Sequence, residues 1–491
     1  MSLYRNKPFV ISGTVVALVF AFLFLIRLDL IDKLLYRPQT LSISEIESPH
    51  TKETWMNILQ NKNKIGFSHS TFSPEDNGYK LQETTFMRIN TMGMVQNINL
   101  RTQGQLNADF SLAEFDFEIN SGRFSFTVNG NVSDDVLTVR TTSAGASRQF
   151  DIRIKKRPYL MAGITAAIAS TKLDTGDRYT FRIFDPATMG QAPVIVEVIG
   201  KENIQIMGAN QIATKVILNF KGANQIAWIG ENGDVLREKG ILGIHLEKTT
   251  RNDALEGLDL RPSEDLTRTA SVASNVMLAN PEQLSTLKVQ ISGVANERVQ
   301  LEGGRQTFEN NVLTIQKESL ANLLDAIDPS NLETLEKIFL RPEPFIQSDD
   351  QKIIALAREI VGNQTKPLEK TRKLVDWVHQ HIQKRPVLSL PDALSTLEHR
   401  VGDCNEHAVL LAALARAAGI PCRVEAGLVY LKERFYYHAW NLVYLGRWVT
   451  VDSLLGQLPA DVSHIRLVTG SPRQQLDIIG VIGNINLKIL N

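Results

Sequence analysis

The first pattern along the chain is an uncharged apolar stretch close to the N-terminus. Between Lys7 and Arg27 lie 19 residues without a charge. At about 1.5 Å of rise per residue they would form a helix of about 28 Å, which matches a hydrocarbon core of about 30 Å. The stretch is longer than the apolar part of a signal peptide, and no small-x-small cleavage site follows it. We therefore predict a retained transmembrane helix at residues 8–26, followed by a stalk at residues 27–50.

Alternation of apolar and polar positions dominates residues 51–251. In one clear example, Phe115, Phe117 and Ile119 alternate with acidic residues. A period of two indicates a strand with one buried face, and repeated segments of this kind separated by turn residues predict an antiparallel β domain. Its apolar stripes are interpreted as core, with a cavity for an apolar ligand as the alternative.

The pattern changes twice more towards the C-terminus. Residues 252–285 are polar and irregular and are interpreted as a linker, while residues 286–320 read as a small β segment with a Gly-Gly turn. Residues 330–491 begin with apolar residues at helical spacing and continue with strands. The sequence thus predicts an α+β fold: an N-terminal transmembrane helix, an antiparallel β domain, and then helices packed on an antiparallel sheet.

Charge and composition exclude several classes of function. The 491 residues contain 53 basic and 53 acidic side chains, so the net charge is zero, and there are two cysteines, Cys404 and Cys422. No basic surface for a nucleic-acid backbone is predicted. Two cysteines are too few for an all-cysteine zinc site or a disulfide framework. Phosphate-binding glycine loops, dinucleotide fingerprints and EF-hand loops do not occur, so we expect no cofactor and no metal.

Cys404 is the first candidate for chemistry. It follows Gly402 and Asp403, which interrupt a preceding helix, and it opens an Ala/Leu-rich helix that is predicted to end near Ala418. Unpaired N–H groups and the positive end of the helix dipole favour the thiolate, which is the nucleophilic form of cysteine. The Cys404 N–H is also a natural oxyanion donor. The alternative is an inert buried cysteine.

His438 and Asp452 supply a base and a residue to orient it. They lie on two predicted strands joined at Gly446. If Tyr444 and Trp448 flank a three-residue loop, His438 lies opposite Leu454 and diagonal to Asp452 on one face of the sheet. A two-residue loop without a bulge would place the two side chains on opposite faces, so the prediction depends on the register.

Three motifs in this order, GDCNEHAVLLAALARAAGIPCRVEAGLVY, YYHAWN and GRWVTVDSLLGQ, resemble the core motifs of the bacterial transglutaminase-like superfamily, a papain-like group of thiol enzymes. The resemblance covers about residues 345–470. It implies Cys404 as nucleophile, His438 as base and then acid, and Asp452 as the residue that holds the imidazole. Ser453, Leu454 and Leu442 depart from residues frequent in the family, which blurs the subfamily and the substrate.

The chain as a whole resembles membrane-anchored bacterial envelope proteins that join a β domain to such a core. We expect a single-pass protein of the inner membrane with its C-terminal domains periplasmic or extracellular. The expected partners are a peptide or protein substrate, the membrane through residues 8–26, and an envelope protein bound by the β domain, with no nucleic acid. Either hydrolysis or acyl transfer fits these motifs, and a non-catalytic envelope scaffold is the alternative.

The remaining candidates are given other interpretations. His407 is interpreted as a structural neighbour of Cys404, and zinc bound by Cys404, His407 and His438 is disfavoured because a fourth ligand is missing. His379 and His381 resemble a solvated helix end, and His399 and His464 show no partner pattern. Cys422 is expected to be buried and inert, with a Cys404–Cys422 disulfide as the alternative. Trp440 and Trp448 are expected to flank the His-Asp hairpin.

Overall fold

The structure is a computed structural model that describes residues 51–490 except 123, 170, 258–263, 295–298, 322–337, 389 and 471–475. The predicted membrane helix at 8–26 and the stalk at 27–50 lie outside the described residues. Within the described part of the chain, no helix combines the length and the hydrophobicity that crossing a membrane requires. The described residues form mostly antiparallel β-sheets with few helices.

One antiparallel sheet of fourteen strands accounts for most of the N-terminal half. Its strands are β1 Lys52–Gln60, β2 Asn63–Glu75, β3 Gly78–Thr91, β4 Met94–Asn107, β5 Leu112–Ser121, β6 Phe124–Ser133, β7 Val136–Ser143, β8 Ala146–Arg153, β9 Arg178–Asp185, β10 Gly190–Ile206, β11 Ala209–Phe220, β12 Ala223–Gly230, β13 Val235–Lys239 and β14 Ile244–Thr249. Neighbours in sequence are neighbours in the sheet, except that β8 and β9 form its two ends and β1 pairs with β14. That pairing joins two meanders into a single sheet.

Tight turns and period-two burial produce this sheet. Met92 and Gly93 have φ values of 50° and 77°, as the two central residues of a type I′ hairpin turn require. In β5, Phe115 and Ile119 are buried in the domain core. That core lies between the sheet and helix α1, Met161–Ala169, whose Ala167 packs in it.

Where the C-terminal part is described, bounds are given for six further α-helices, and three further sheets are formed. The helices are α2 Arg251–Leu255, α3 Leu266–Ala270, α4 Gln351–Val361, α5 Pro367–His381, α6 Ala393–His399 and α7 Cys404–Ala417. The strands are β15 Val272–Ala273, β16 Thr286–Ser292, β17 Gln306–Glu309, β18 Val312–Gln316, β19 Gln383–Lys384, β20 Val401–Gly402, β21 Cys422–Leu431, β22 Arg434–Tyr444, β23 Trp448–Val451, β24 Ile465–Thr469 and β25 Asn486–Leu490.

These elements form three layers around two apolar cores. The middle layer is a sheet in the order β15-β22-β21-β24, with β23 paired to β22. Helices α4, α5, α6 and α7 cover one face, where residues 408–415 of α7 are buried with Val424 and Val443. A second sheet, β17-β18-β16-β25, covers the other face and packs Val289 and Leu487 against Leu428. Residues 408–415 of α7 are therefore fixed between buried neighbours.

The structure differs from two boundaries expected from the sequence. The segment 252–285, interpreted as a linker, contains helix α3 and strand β15, and β15 extends the middle sheet by pairing Val272 with Phe435. The small β segment at 286–320 pairs through β16 with the C-terminal strand β25. Both differences arise from pairing between residues far apart in sequence, which local periodicity does not reveal.

Candidate active site

The start of helix α7 places Cys404 in the first helical turn. Asp403 is the N-cap, and its carboxylate accepts a hydrogen bond from the Asn405 N–H at 2.9 Å. Glu406 completes a capping box by accepting from the Asp403 N–H at 3.0 Å. A Cβ at Gly402 would lie 2.3 Å from the Glu406 Cβ. Glycine is therefore required at position 402 for this cap to form.

The hairpin of β22 and β23 has the three-residue register that the sequence favoured. Tyr444 pairs with Trp448, and Asn441 pairs with Val451. Strand β23 ends at Val451, so the expected pairing of His438 with Leu454 does not form. Instead the chain turns after Asp452. The Asp452 N–H donates to the Gln457 carbonyl at 3.0 Å, and the Asp452 carbonyl accepts from the Gln457 N–H at 2.8 Å. This tight turn holds the Asp452 side chain at the end of the strand.

His438 and Asp452 are brought together and buried. The distance from His438 Nε2 to Asp452 Oδ2 is 2.6 Å, and the two side chains are 5% and 1% exposed. The second carboxylate oxygen, Oδ1, accepts from the Leu455 N–H at 3.0 Å. Because Nε2 is engaged by the carboxylate, Nδ1 is the ring nitrogen available to a reacting group.

The Cys404 thiol lies against the strand that carries His438. Its sulfur accepts a hydrogen bond from the backbone N–H of Ala439, the residue that follows His438. Burial raises the pKa of the thiol well above its ordinary range, and the carboxylate of Asp403 adds to the rise. Burial and the acidic neighbour therefore oppose the thiolate that the helix start was expected to favour. A proton acceptor is needed to produce the nucleophile.

His379 contributes to the site, contrary to its interpretation as part of a solvated helix end. Its Nδ1–H donates to the carbonyls of Ser453 and Leu454, both at 3.1 Å, and its Nε2 accepts from Lys384 Nζ at 3.1 Å. The half-buried ring thereby ties helix α5 to the turn that follows Asp452. His381 is exposed and stacks on Trp377, in agreement with the sequence interpretation.

His407 and Trp440 also lie near the site but are not part of the His438–Asp452 pair. His407 Nδ1–H donates to the Asp403 carbonyl at 2.7 Å within α7, while burial lowers the pKa of this histidine. Trp440 packs beside His438 with ring centroids 6.0 Å apart and donates through Nε1 to Glu425 at 3.0 Å. Trp448 instead packs against Tyr444, away from the His438 end of β22.

His464 is the residue of this site that sequence reasoning missed. Its ring is fully buried, and its Nε2 lies 2.9 Å from Asp452 Oδ2. Its Nδ1 lies 3.2 Å from Asp461 Oδ1. The available signal in the sequence was the Asp-x-x-His spacing of Asp461 and His464, with His464 twelve residues beyond Asp452. It is weak, because the contact depends on a turn between Asp452 and His464 that has no periodic pattern.

The same side chains offer a set of atoms that could hold a metal. Within the described residues, ligand atoms of His438, Asp452 and His464 lie within 4.8 Å of one another. This differs from the zinc set of Cys404, His407 and His438 weighed from the sequence. The imidazoles of His438 and His464 both lie at hydrogen-bond distance from Asp452 Oδ2. An N–H group donated by each ring accounts for the closeness of the three side chains.

Cys422 occupies a different environment from Cys404. Both thiols are free. Cys422 is fully buried at the start of β21, and burial raises the pKa of its thiol to about 12. Asn441 Nδ2 approaches its sulfur at 3.6 Å. These contacts agree with a packing role for Cys422.

A thiol at a helix start, beside a strand bearing a buried His-Asp pair, is typical of papain-like thiol enzymes. Residues 354–453 match the family model of the transglutaminase-like superfamily, so the chain contains a transglutaminase-like domain. The matched range contains all three predicted site residues, Cys404, His438 and Asp452. A search of curated proteins found no match.

Three solved structures show limited similarity to the chain. A candidate cysteine protease from Cytophaga hutchinsonii has 18% identity and a TM-score of 0.27, covering 42% of this chain and 83% of that one. A β-barrel-like protein from Brucella abortus has 11% identity and a TM-score of 0.32, covering 41% and 96%. The periplasmic domain of TgpA from Pseudomonas aeruginosa, bound to ethylmercury, has 19% identity and a TM-score of 0.24, covering 37% and 77%. With TM-scores this low, nothing about this chain's function is taken from them.

Proposed function

We propose that the protein is a membrane-anchored thiol enzyme that transfers acyl groups from peptide or amide bonds of cell-envelope substrates, using Cys404, His438 and Asp452. The observation that carries this proposal is the position of the Cys404 sulfur against the Ala439 N–H, one residue from the His438 ring that Asp452 holds. The Cys422 sulfur also has an N–H neighbour, Asn441 Nδ2 at 3.6 Å, but the groups that shift its pKa do not include the His438–Asp452 pair.

The proposed reaction begins with transfer of the Cys404 proton to His438 as sulfur attacks the amide carbonyl. The tetrahedral intermediate collapses to a thioester, and the amine leaves with the proton from His438. Water or a second amine then attacks the thioester and gives its proton to His438. The second tetrahedral intermediate expels the Cys404 thiolate, which recovers that proton from His438, and the acid or the new amide is released. The ionised Asp452 stabilises the imidazolium that forms in each half of the reaction.

Water is the acceptor that we favour, because a site that excludes water and admits an amine is a specialised addition to this chemistry. The test uses the full-length protein in detergent with a glutamine-containing peptide and a labelled amine, followed by intact mass analysis. We expect peptide hydrolysis or deamidation, lost in Cys404→Ala and retained in the matched variant Cys422→Ala. A gain of the labelled amine would replace hydrolysis by transfer, and equal product from Cys404→Ala would contradict the proposal.

A non-catalytic scaffold, in which the β domain binds an envelope protein, is the alternative from another class. The discriminating property is the reactivity of Cys404 toward iodoacetamide at mildly acidic pH. Since burial opposes the thiolate, rapid alkylation there requires proton acceptance by His438, and it should disappear in His438→Ala. Alkylation no faster than that of free cysteine at every pH would favour the scaffold.

The membrane anchor and the exported location remain part of the proposal and rest on residues 8–26. We expect the full-length chain to fractionate with the bacterial inner membrane. Protease added to spheroplasts should degrade the large C-terminal part. Protection of that part until detergent is added would reverse the proposed orientation.

A further inference from the structure

His464 is a fully buried histidine whose two ring nitrogens both face carboxylates. It precedes strand β24, with Nε2 at 2.9 Å from Asp452 Oδ2 and Nδ1 at 3.2 Å from Asp461 Oδ1. A neutral imidazole carries one N–H, whereas donation to two ionised carboxylates requires both nitrogens to be protonated. The contacts therefore describe an imidazolium between two anions.

The charges around His464 favour this protonated state. Burial opposes it, but the hydrogen bonds and charges of Asp452 and Asp461 outweigh burial and raise the pKa of His464. The pKa of Asp461 is lowered correspondingly, because the same imidazolium outweighs the effect of burial on that carboxyl. The two sides of the contact thus agree in direction.

Other charged groups near His464 are occupied with partners of their own. Arg305 donates to the His464 carbonyl at 3.2 Å and pairs with Glu318 at 3.0 Å. Glu425 faces the site from β21, where it accepts from Trp440 and lies 3.6 Å from Arg466. Trp440 closes one side of the ring at a centroid distance of 5.1 Å.

The geometry at Asp452 shows what the imidazolium does. Asp452 Oδ2 accepts from both His438 and His464, and its Oδ1 accepts from the Leu455 N–H. Without the His464 contact, the carboxylate would keep one neutral backbone donor on Oδ1 and His438 on Oδ2. Its terminal torsion has no strong intrinsic preference, so the charged contact from His464 narrows the range of orientations that the carboxylate can adopt.

We propose that His464 is a positioning residue, a buried imidazolium that holds the Asp452 carboxylate in the orientation in which it accepts from His438. This inference rests on the proposed function, because it assigns His464 a role through the Cys404-His438-Asp452 site. The side chains of Asp461, His464, Asp452 and His438 then form one hydrogen-bonded chain, and His464 acts through Asp452.

The test measures the pH dependence of Cys404 alkylation by iodoacetamide in the full-length protein. His464→Gln retains an amide donor toward Asp452 without the charge, while His464→Leu removes both donor and charge. His381→Gln is the matched control, because His381 is exposed at the end of α5. Turnover with the peptide substrate is measured in parallel, and circular dichroism checks the fold.

Loss of the His464 charge, whose ring centroid lies 5.7 Å from that of His438, should favour protonation of His438. The acidic limb of the alkylation profile should move to higher pH by about 0.5–2 pH units in both variants. The lower and upper bounds follow from Coulomb's law at this distance, with effective dielectric constants of about 80 and about 20 respectively. The maximal rate should fall about tenfold or more in His464→Leu and be largely retained in His464→Gln. A residue that merely supports the fold would leave the limb unmoved.

The outcomes separate this inference from the proposed function. If native Cys404 shows no His438-dependent alkylation, the proposed function fails. If the native profile is His438-dependent and both His464 variants reproduce it, the positioning role is overturned. Binding of Zn²⁺ at one equivalent by the native protein, lost in His464→Leu, would also overturn it by making His464 a ligand. Should both variants misfold, Asp461→Asn is expected to move the limb in the same direction, and an unmoved limb there overturns the inference.

Discussion

Carboxyl groups are partly or fully removed from solvent in two regions of the molecule, a cavity in the β domain and the site around His438. The β-domain cavity has a volume of about 300 Å³ and lies between helix α1 and strands of the large sheet. Glu83 and Glu238 line it, accepting from Ser68 at 3.3 Å and from Gln225 at 2.9 Å. Burial, followed by the charge of Glu83, raises the pKa of Glu238 to about 7.

The carboxylates of the thiol site shift in the opposite direction. Burial alone would raise the pKa of Asp452, but the charges and hydrogen bonds of His438 and His464 hold it far below its ordinary range. In the described part of the chain, neither Glu83 nor Glu238 has an ion pair that plays this part. Burial acts in the same sense in both regions, so the presence of a cationic partner decides whether the acid is ionised.

The largest effect that would test this comparison is expected from Asp452→Asn. The amide cannot hold His438 in its reactive tautomer, and a loss of about 10⁴-fold in turnover is expected by analogy with a serine enzyme. The variant also leaves two buried histidines without their shared anion, which should cost about 3–5 kcal/mol of unfolding free energy at pH 7. Urea denaturation followed by tryptophan fluorescence measures the stability.

The pH dependence of that stability loss has a defined sign. A carboxyl group with a depressed pKa in the folded state stabilises the protein above its unfolded pKa of about 3.9, and this contribution is lost as the pH falls further. The difference between native protein and Asp452→Asn should therefore shrink below pH 4. Asp376→Asn, at an exposed position on α5, is the control. Equal stability of the two variants at pH 7 would contradict the ionised state of Asp452.

The same two regions show what the sequence predicts and what it does not. Cys404, His438 and Asp452 carry local signals: a helix start after Gly402 and a hairpin whose register follows from Gly446. His464 carries only the weak Asp-x-x-His spacing, because its partner Asp452 is reached through a turn whose path depends on contacts such as that of His379 with Ser453 and Leu454. Local pattern identifies candidate residues, whereas tertiary contacts determine how they are supported.

The fold divides in the same way. The sequence predicted the alternation within strands of the large sheet, and it predicted the helix α7 that begins at Cys404. The sequence did not predict the pairing of β1 with β14 or of β16 with β25, because each pairing joins segments about 200 residues apart. The Glu83 and Glu238 pair is a consequence of that long-range pairing, because it brings β3 and β13 to one cavity.

A smaller effect, opposite in its pH dependence, is expected from Glu238→Gln. The folded-state pKa of about 7 lies above the unfolded value of about 4.3. The protonated carboxyl therefore stabilises the folded protein below pH 4.3, and this contribution is lost as the pH rises to 7. Glutamine cannot ionise, so the Glu238→Gln variant should have a higher free energy of unfolding than the native protein at pH 8. Because the side chain is partly exposed to the cavity, the gain should be only about 1 kcal/mol.

For a domain of this size, about 1 kcal/mol corresponds to about 2–4 °C in melting temperature. Scanning calorimetry at pH 4, 6 and 8 measures the transition of the β domain, and Glu231→Gln, in the exposed turn before β13, is the matched control. The melting temperature of Glu238→Gln relative to that of the native protein should rise from pH 4 to pH 6 and reach its highest value by pH 8. Equal melting temperatures at pH 8 would mean that a cation neutralises Glu238 as His438 and His464 neutralise Asp452, and the contrast between the two regions would then be lost.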